Sequence, residues 1–307
     1  MAKLPSEKLV IIDYSGTLSI EAPDFGCPGK LARALAESGL AAVGVTDADI
    51  FWEKIIFPTW DEGSRTTIGY ARVIADRIAA LHLPQPVRRN ESAASCPQSA
   101  VFFSQVAEAA KRFVTMYLDH SRMDPLWRPL LEKLNADPKI VVVIATDHYA
   151  EATGAIIRYL SDWGIAATKA ENIAGKPPVF SLPSGKHEKR ERLNHVIVAN
   201  SAELGFWKAD RRFWEILKVQ LPGRFRSVLI VDDFGFNEAA ANGYGTPARV
   251  RERRLKTKAL LREVFQIRVS TISFFFKKDE GDRKDARARK IRETVRRIGA
   301  AVRPLPA

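Results

Sequence analysis

Long hydrophobic runs are missing from this 307-residue chain. Its longest apolar stretches, Leu9–Ile12 and Ile140–Ala145, are strand-sized. Both fall far short of the roughly 18 residues that a membrane-spanning helix needs. Cysteine is almost absent: Cys27 and Cys96 are the two present. Two cysteines build no disulfide framework, and without a Cys-x-x-Cys pair there is no zinc ribbon. Met1–Ser6 is too short and polar for a secretory signal. No internal repeat is visible, which excludes a solenoid. These absences lead us to expect a cytoplasmic protein with reduced thiols and no membrane span.

The residues present suit a packed domain: 46% are hydrophobic and 27% charged. The net charge of +12 favours anionic partners. Half of that excess sits at the end of the chain, where Lys277–Arg303 holds eleven Lys/Arg against five Asp/Glu. We expect residues 277–307 to form a basic C-terminal tail. As a solvated helix it would carry pairs such as Asp285 with Arg289. As a binding segment it would recruit nucleic acid or another acidic partner, although it lacks the interleaved aromatics that stack on bases.

Periodicity divides the rest. Leu9–Ile12 reads as a buried strand, followed by Asp13 and a turn at Ser15-Gly16-Thr17. Helical spacing covers Cys27–Gly39, Ala48–Ile56, Thr67–Leu83 and Ser99–His120, with a proline-containing linker over Leu83–Ala100. Beyond these, Pro125–Asn135 reads as a helix and Lys139–Ala145 as a strand ending at Thr146. Ala150–Trp163 is a helix closed by Gly164. His195–Ala199 and Ser227–Val231 are strands separated by a helix over Ala209–Val219. A short helix, Glu238–Asn242, and a last strand, Val269–Phe276, follow. Ala166–Arg192 shows no clear pattern. Alternation of strand and helix indicates an α/β fold with a parallel sheet covered on both faces. The expected layout is a core of residues 1–18 and 121–276, interrupted by a mainly helical insertion over 19–120.

Ligands of parallel α/β sheets bind beyond the carboxyl ends of the strands. Asp13, Thr146, Asp232 and Asp233 all stand at such ends. Carboxylates brought together there repel unless a cation lies between them. Mg²⁺ is suited to that place, being hard and commonly shared among carboxylates, water and a phosphate. Thr146 can donate to a phosphate oxygen, and Lys208 is the best lysine to neutralise the remaining charge. A nucleophile, a metal and a neutralising cation are the parts that phosphoryl transfer needs. Plainer roles stand beside these. Asp13–Gly16 can be a turn, Asp232-Asp233 and Thr146-Asp147 can be helix caps, and Lys208 can be a surface lysine. His148 reads as a loop histidine. Phe51, Trp52, Phe57 and Trp60 read as the core of the insertion.

Four segments together resemble the motifs of the haloacid dehalogenase superfamily. Asp13-Tyr14-Ser15-Gly16-Thr17-Leu18 is similar to the first, and the strand ending in Thr146 to the second. The run Asn200 to Asp210, containing Lys208, resembles the third. Val231-Asp232-Asp233-Phe234-Gly235-Phe236-Asn237-Glu238, followed by Ala239-Ala240 and Gly243, resembles the fourth. The resemblance implies a Rossmann-like parallel core with an inserted cap that gates access and selects substrate. It implies a Mg²⁺-dependent hydrolase of a phosphorylated small molecule that passes through an aspartyl-phosphate on Asp13. Asp13, the Ser15 carbonyl and Asp233 would hold the metal, with Asp232 and Asn237 supporting it. Thr146 and Lys208 would bind the phosphoryl group, beside Ser15, Gly16 and Asp147.

Ser15 departs from the resemblance. Phosphatases of the superfamily usually carry an aspartate there, which protonates the leaving oxygen and then activates water. Serine does neither well at neutral pH. Three alternatives follow: a catalytically weakened phosphate-binding or regulatory protein, a phosphonatase-like enzyme using an insertion lysine such as Lys30 or Lys54, and a dehalogenase.

Overall fold

A computed structural model describes residues 8–82, 97–172, 195–237, 247–276 and 284–303. The expected helix Glu238–Asn242 and most of the Leu83–Ala100 linker lie outside these residues.

Six strands form one parallel sheet: β1 (Lys8–Asp13), β2 (Ile140–Thr146), β3 (Ala167–Lys169), β4 (Val196–Asn200), β5 (Ser227–Asp232) and β6 (Arg268–Ser273). Their order across the sheet is β3-β4-β2-β1-β5-β6. The central strands are apolar on both faces because helices cover both. Val10, Ile12, Val142, Ile144 and Val198 point to one side, where they meet Leu130, Leu131, Ile156 and Leu160. These come from α6 (Arg128–Ala136) and α7 (Glu151–Asp162). Leu9, Ile11, Val143, Ile197 and Ile230 point to the other side. They meet α9 (Arg211–Gln220) through Phe213, Trp214 and Leu217, and α10 (Pro247–Phe265) through Val250 and Leu261. A four-residue helix, α8 (Ser201–Leu204), follows β4.

In the C-terminal segment, Lys284–Val302 is a helix, α11, as one of our two readings of it expected, but it is not simply solvated: its Ile291 and Ile298 are wholly buried in the first apolar layer. Burying two such side chains contributes about 1.5–3 kcal/mol each, more than a surface ion pair does. Arg289, Arg292, Arg296 and Arg297 ride on the outer side of this core helix, while Arg287 is half-buried and pairs with Glu21. The Lys8 ammonium donates to the Ala301 carbonyl at 3.1 Å, close to the end of α11.

Between β1 and β2 the described chain is helical: α1 (Glu21–Phe25), α2 (Pro28–Ser38), α3 (Phe57–Gly63), α4 (Tyr70–His82) and α5 (Pro97–His120). It has an apolar cluster of its own, built on Leu31, Leu35, Phe51, Ile55, Ile74 and Phe113. The expected helix Ala48–Ile56 is in fact a π-helix over Ile50–Ile56 that runs into α3. Proline supplies the reason. Pro58 has no N–H for the Lys54 carbonyl, which instead accepts from Arg77 Nε at 2.7 Å. Where the insertion leaves and rejoins the sheet, its two connections are tied together. Asp124 N–H donates to Leu18 O at 2.9 Å, Trp127 Nε1 donates to Thr17 O at 3.1 Å, and the Tyr14 hydroxyl donates to Ser121 O.

Candidate active site

From β1 the chain passes to β2 and β4 on one side of β1, then returns to β5 on the other side. Connections therefore diverge between β1 and β5, and this switch point is where open α/β sheets place their ligands. Ile12 is in register with Val231, so Asp13 and Asp232 emerge at the same level. Asp13, Asp232 and Asp233 are 5%, 4% and 2% exposed. One carboxylate oxygen from each lies within 4.8 Å of the others.

Local sequence explains how these acids converge. Gly16 adopts φ +74°, and a Cβ there would meet Asp233 Oδ2 at 2.7 Å. Only glycine lets the β1 turn lie flat under that carboxylate. Thr17 joins the two strand tips: its hydroxyl donates to Asp13 Oδ2 at 3.1 Å and accepts from Asp233 N–H at 3.2 Å. Beyond β5, Phe234 and Gly235 both have positive φ. The turn they make aims N–H groups back at the acids. Phe234 N–H reaches Asp232 Oδ1 at 2.6 Å, and Gly235 and Asn237 N–H reach the two Asp233 oxygens at 3.0 and 2.7 Å.

Lys208 is the cation in this group. Its ammonium lies 2.6 Å from Asp13 Oδ1 and 3.2 Å from Asp232 Oδ2. Burial works against its charge, but Asp13, Asp232 and Asp147 more than offset that and lift its pKa well above the usual lysine value. Its backbone is pinned at both ends. Lys208 N–H donates to Asp147 Oδ1 at 2.8 Å, and Lys208 O accepts from Trp214 Nε1 at 2.7 Å. Asp147, a residue we expected to bind substrate, thus holds the lysine loop. Burial raises the Asp147 pKa, against the pull of Lys208.

Thr146 is buried at the tip of β2, one residue past Ala145, the partner of Asp13. Ser15 lies in the turn after β1, bridged to Ser19. Asn237, which we expected to support the metal shell, holds Asp233 Oδ2 through its N–H, and its side chain makes further bonds. Its amide donates to Gly16 O at 2.7 Å and Phe274 O at 2.9 Å, and its oxygen accepts from Phe276 N–H at 3.0 Å. It staples the turn after β1 to the segment after β6.

Sequence reasoning missed Thr17 and Asn200. Asn200 caps α8 by accepting from Ala202 N–H, and it also accepts from His148 N–H at 3.2 Å. Its amide donates to Tyr149 O at 2.9 Å, which fixes the loop after β2. His148 is buried in that loop. Its Nδ1 accepts from Tyr149 N–H at 2.9 Å, leaving Nε2–H to meet the Tyr117 hydroxyl at 2.6 Å. Burial lowers its pKa to about 4.

The insertion reaches this end of the sheet. Glu151 accepts from Tyr70 and Ala71 N–H at 2.6 and 3.2 Å, capping α4. Tyr70 stacks on Tyr149 at 3.9 Å, and Trp207, next to Lys208, donates to Ser64 Oγ at 2.8 Å. Lys54 is exposed, and Lys30 is held by Asp24 and Glu21. Neither has the apolar, desolvated surroundings that activate a lysine amine.

With all three carboxylates ionised, they and Lys208 would sum to −2, a charge that one divalent cation would balance. An all-oxygen set of this kind suits a hard ion such as Mg²⁺. One other group of described residues, Glu21, Asp24 and His120, also places three potential ligand atoms together. It is partly exposed and already paired with Lys30 and Arg287. No known protein family, curated protein or solved structure matches the chain. No described helix is long and apolar enough to cross a membrane.

Proposed function

We propose that the chain is a Mg²⁺-dependent hydrolase of the haloacid dehalogenase type acting on a phosphorylated small molecule. The observation that carries this reading is the Asp13, Asp232 and Asp233 trio, buried at the switch point around Lys208. Asp13, Asp233 and the Ser15 carbonyl are the groups that would hold Mg²⁺, which when bound supplies positive charge beside the phosphoryl oxygens.

Asp13 is the nucleophile. One of its carboxylate oxygens bonds to phosphorus as the bond to the leaving oxygen breaks, giving an aspartyl-phosphate; water then attacks phosphorus and releases phosphate. Lys208 stays protonated and neutralises charge on the phosphoryl group. Thr146 donates to a phosphoryl oxygen. Thr17 and Asp147 hold Asp13 and Lys208 in place. The helical insertion, anchored through Glu151 and Ser64, bounds the substrate side.

Ser15 favours a second reading, a phosphate-binding protein of slow turnover. Serine supplies no acid for a poor leaving group, so acyl-phosphates should react faster than alkyl esters. Phosphate release should be measured with Mg²⁺ across esters, acyl-phosphates and phosphonates. Activity abolished by EDTA and by Asp13→Asn supports the enzyme. Full activity in Asp13→Asn contradicts it.

A further inference from the structure

We infer that α10 carries a binding site for the phosphate backbone of duplex nucleic acid. This helix went unrecognised in the sequence because its apolar positions are thin among charges. It holds seven Lys/Arg and two Asp/Glu, a net of +5 within a chain of +12.

The cations lie on both flanks of its buried stripe, with Arg249, Arg253 and Lys256 on the side that also carries the acids. Val250, Thr257, Leu261 and Val264 face the core. At 100° per residue, Arg251, Arg254, Lys258 and Arg262 fall on one flank of that buried stripe, and both acids fall on the other side of the helix. Glu263 points toward α9, where Arg211 pairs with it. The four cations therefore form a row with no acid in it. Arg251 and Arg262 are exposed, and Arg254 and Lys258 are half-exposed. Among the described residues, none of the four has an ion-pair partner.

Charge and length suit the row to a polyanion. Arg251 to Arg262 spans about 16 Å at 1.5 Å per residue, a cation roughly every 5 Å. Phosphates repeat about every 3.4 Å along the axis of a nucleic-acid strand, so a row of this length lies beside about five of them. Three of the four are arginine, whose planar fork matches phosphate oxygens in pairs. The apolar side of α10 is consumed by the core apart from the exposed Leu255, and one side chain is too little apolar surface to seat a helix in a lipid interface. The exposed row holds no aromatic ring, so it suits a duplex backbone rather than stacked single-strand bases.

The test uses the full chain and does not depend on phosphatase activity. A fluorescent 20-base-pair DNA duplex is titrated in EDTA from 0.05 to 0.3 M salt. We expect log affinity to fall against log salt with a slope of about −3 to −4, roughly 0.9 per neutralised phosphate. The double variant Arg251→Gln/Arg262→Gln should flatten the slope by about 2 and weaken binding roughly 60-fold at 0.1 M salt. Both substitutions are at exposed positions, and a matched Tm confirms folding. Arg72→Gln/Lys111→Gln removes the same charge from the insertion and should leave the slope unchanged. Equal loss in both double variants, or duplex binding unaltered by the α10 variant, overturns the site. Binding to vesicles of anionic lipid without binding to the duplex overturns the assignment to nucleic acid.

Discussion

Replacing Lys208 by methionine should destabilise the metal-free protein by about 3–5 kcal/mol, the usual cost of breaking a buried ion pair from one side. Coulomb's law shows why the effect is large. At an effective dielectric near 20, contacts of 2.6 and 3.2 Å are worth about 6 and 5 kcal/mol. Three carboxylate pairs within 4.8 Å repel by at least about 3.5 kcal/mol each at the same dielectric, so the lysine and the trio nearly balance. Methionine keeps the length of the side chain and removes the cation. Relaxation and water penetration cut the raw imbalance down to the smaller figure. The pKa of Lys208 is higher folded than unfolded, so its contribution is complete below about pH 10.4 and fades only as pH rises through the folded value. Unfolding by urea at pH 8 in EDTA therefore reads the whole effect. Adding Mg²⁺ should return much of the loss, about 2.7 kcal/mol when the ion is at 100 times its Kd. A Lys208→Met protein as stable as the parent in EDTA, or one that Mg²⁺ does not stabilise, refutes this electrostatic account.

Other residues give separate tests. Gly16→Ala should cost about 1–2 kcal/mol for its left-handed backbone, and more because the new methyl must displace Asp233; urea unfolding and Mg²⁺ titration should both report it. His148 is neutral when folded, with a pKa near 4, so the unfolded chain binds more protons between about pH 6.5 and 4. Stability should fall with acidification by up to about 1.4 kcal/mol per pH unit in that window, and His148→Gln should flatten the slope. Asn237→Ala strands three backbone groups and should cost about 2–4 kcal/mol, measured by chemical denaturation. Ser15→Asp should raise turnover of phosphate esters in a phosphate-release assay, and no gain across the panel counts against the role given to that position.

The sheet was legible because its strands are buried on both faces. Leu9–Ile12, Lys139–Ala145, His195–Ala199 and Ser227–Val231 are short β-branched runs, and each overlaps a strand with its ends shifted by at most one residue. β3 was not legible. It has three residues, two of them exposed, and sits at the sheet edge. The C-terminal helix was legible as a helix but not as part of the core, because charge counting saw its cations and missed the spacing of Ile291 and Ile298. At the candidate site, acids at strand ends could be read directly. The residues that hold them could not: Thr17, Asn200 and Trp214 act through contacts 6 to 216 residues away in sequence. Asn237 illustrates the difference. Its residue type suits a metal shell, and its N–H does hold Asp233, while the three bonds its side chain makes to backbone are set by the fold alone.

The most direct test is crystallographic. Crystals soaked in Mn²⁺, which diffracts anomalously and accepts the same oxygen ligands as Mg²⁺, should show one peak between the carboxylates of Asp13 and Asp233, beside the Ser15 carbonyl. Crystals of Asp233→Asn soaked alike should lose it. A strand-tip cluster that stays free of metal while its three aspartates keep their places around Lys208 would contradict the account.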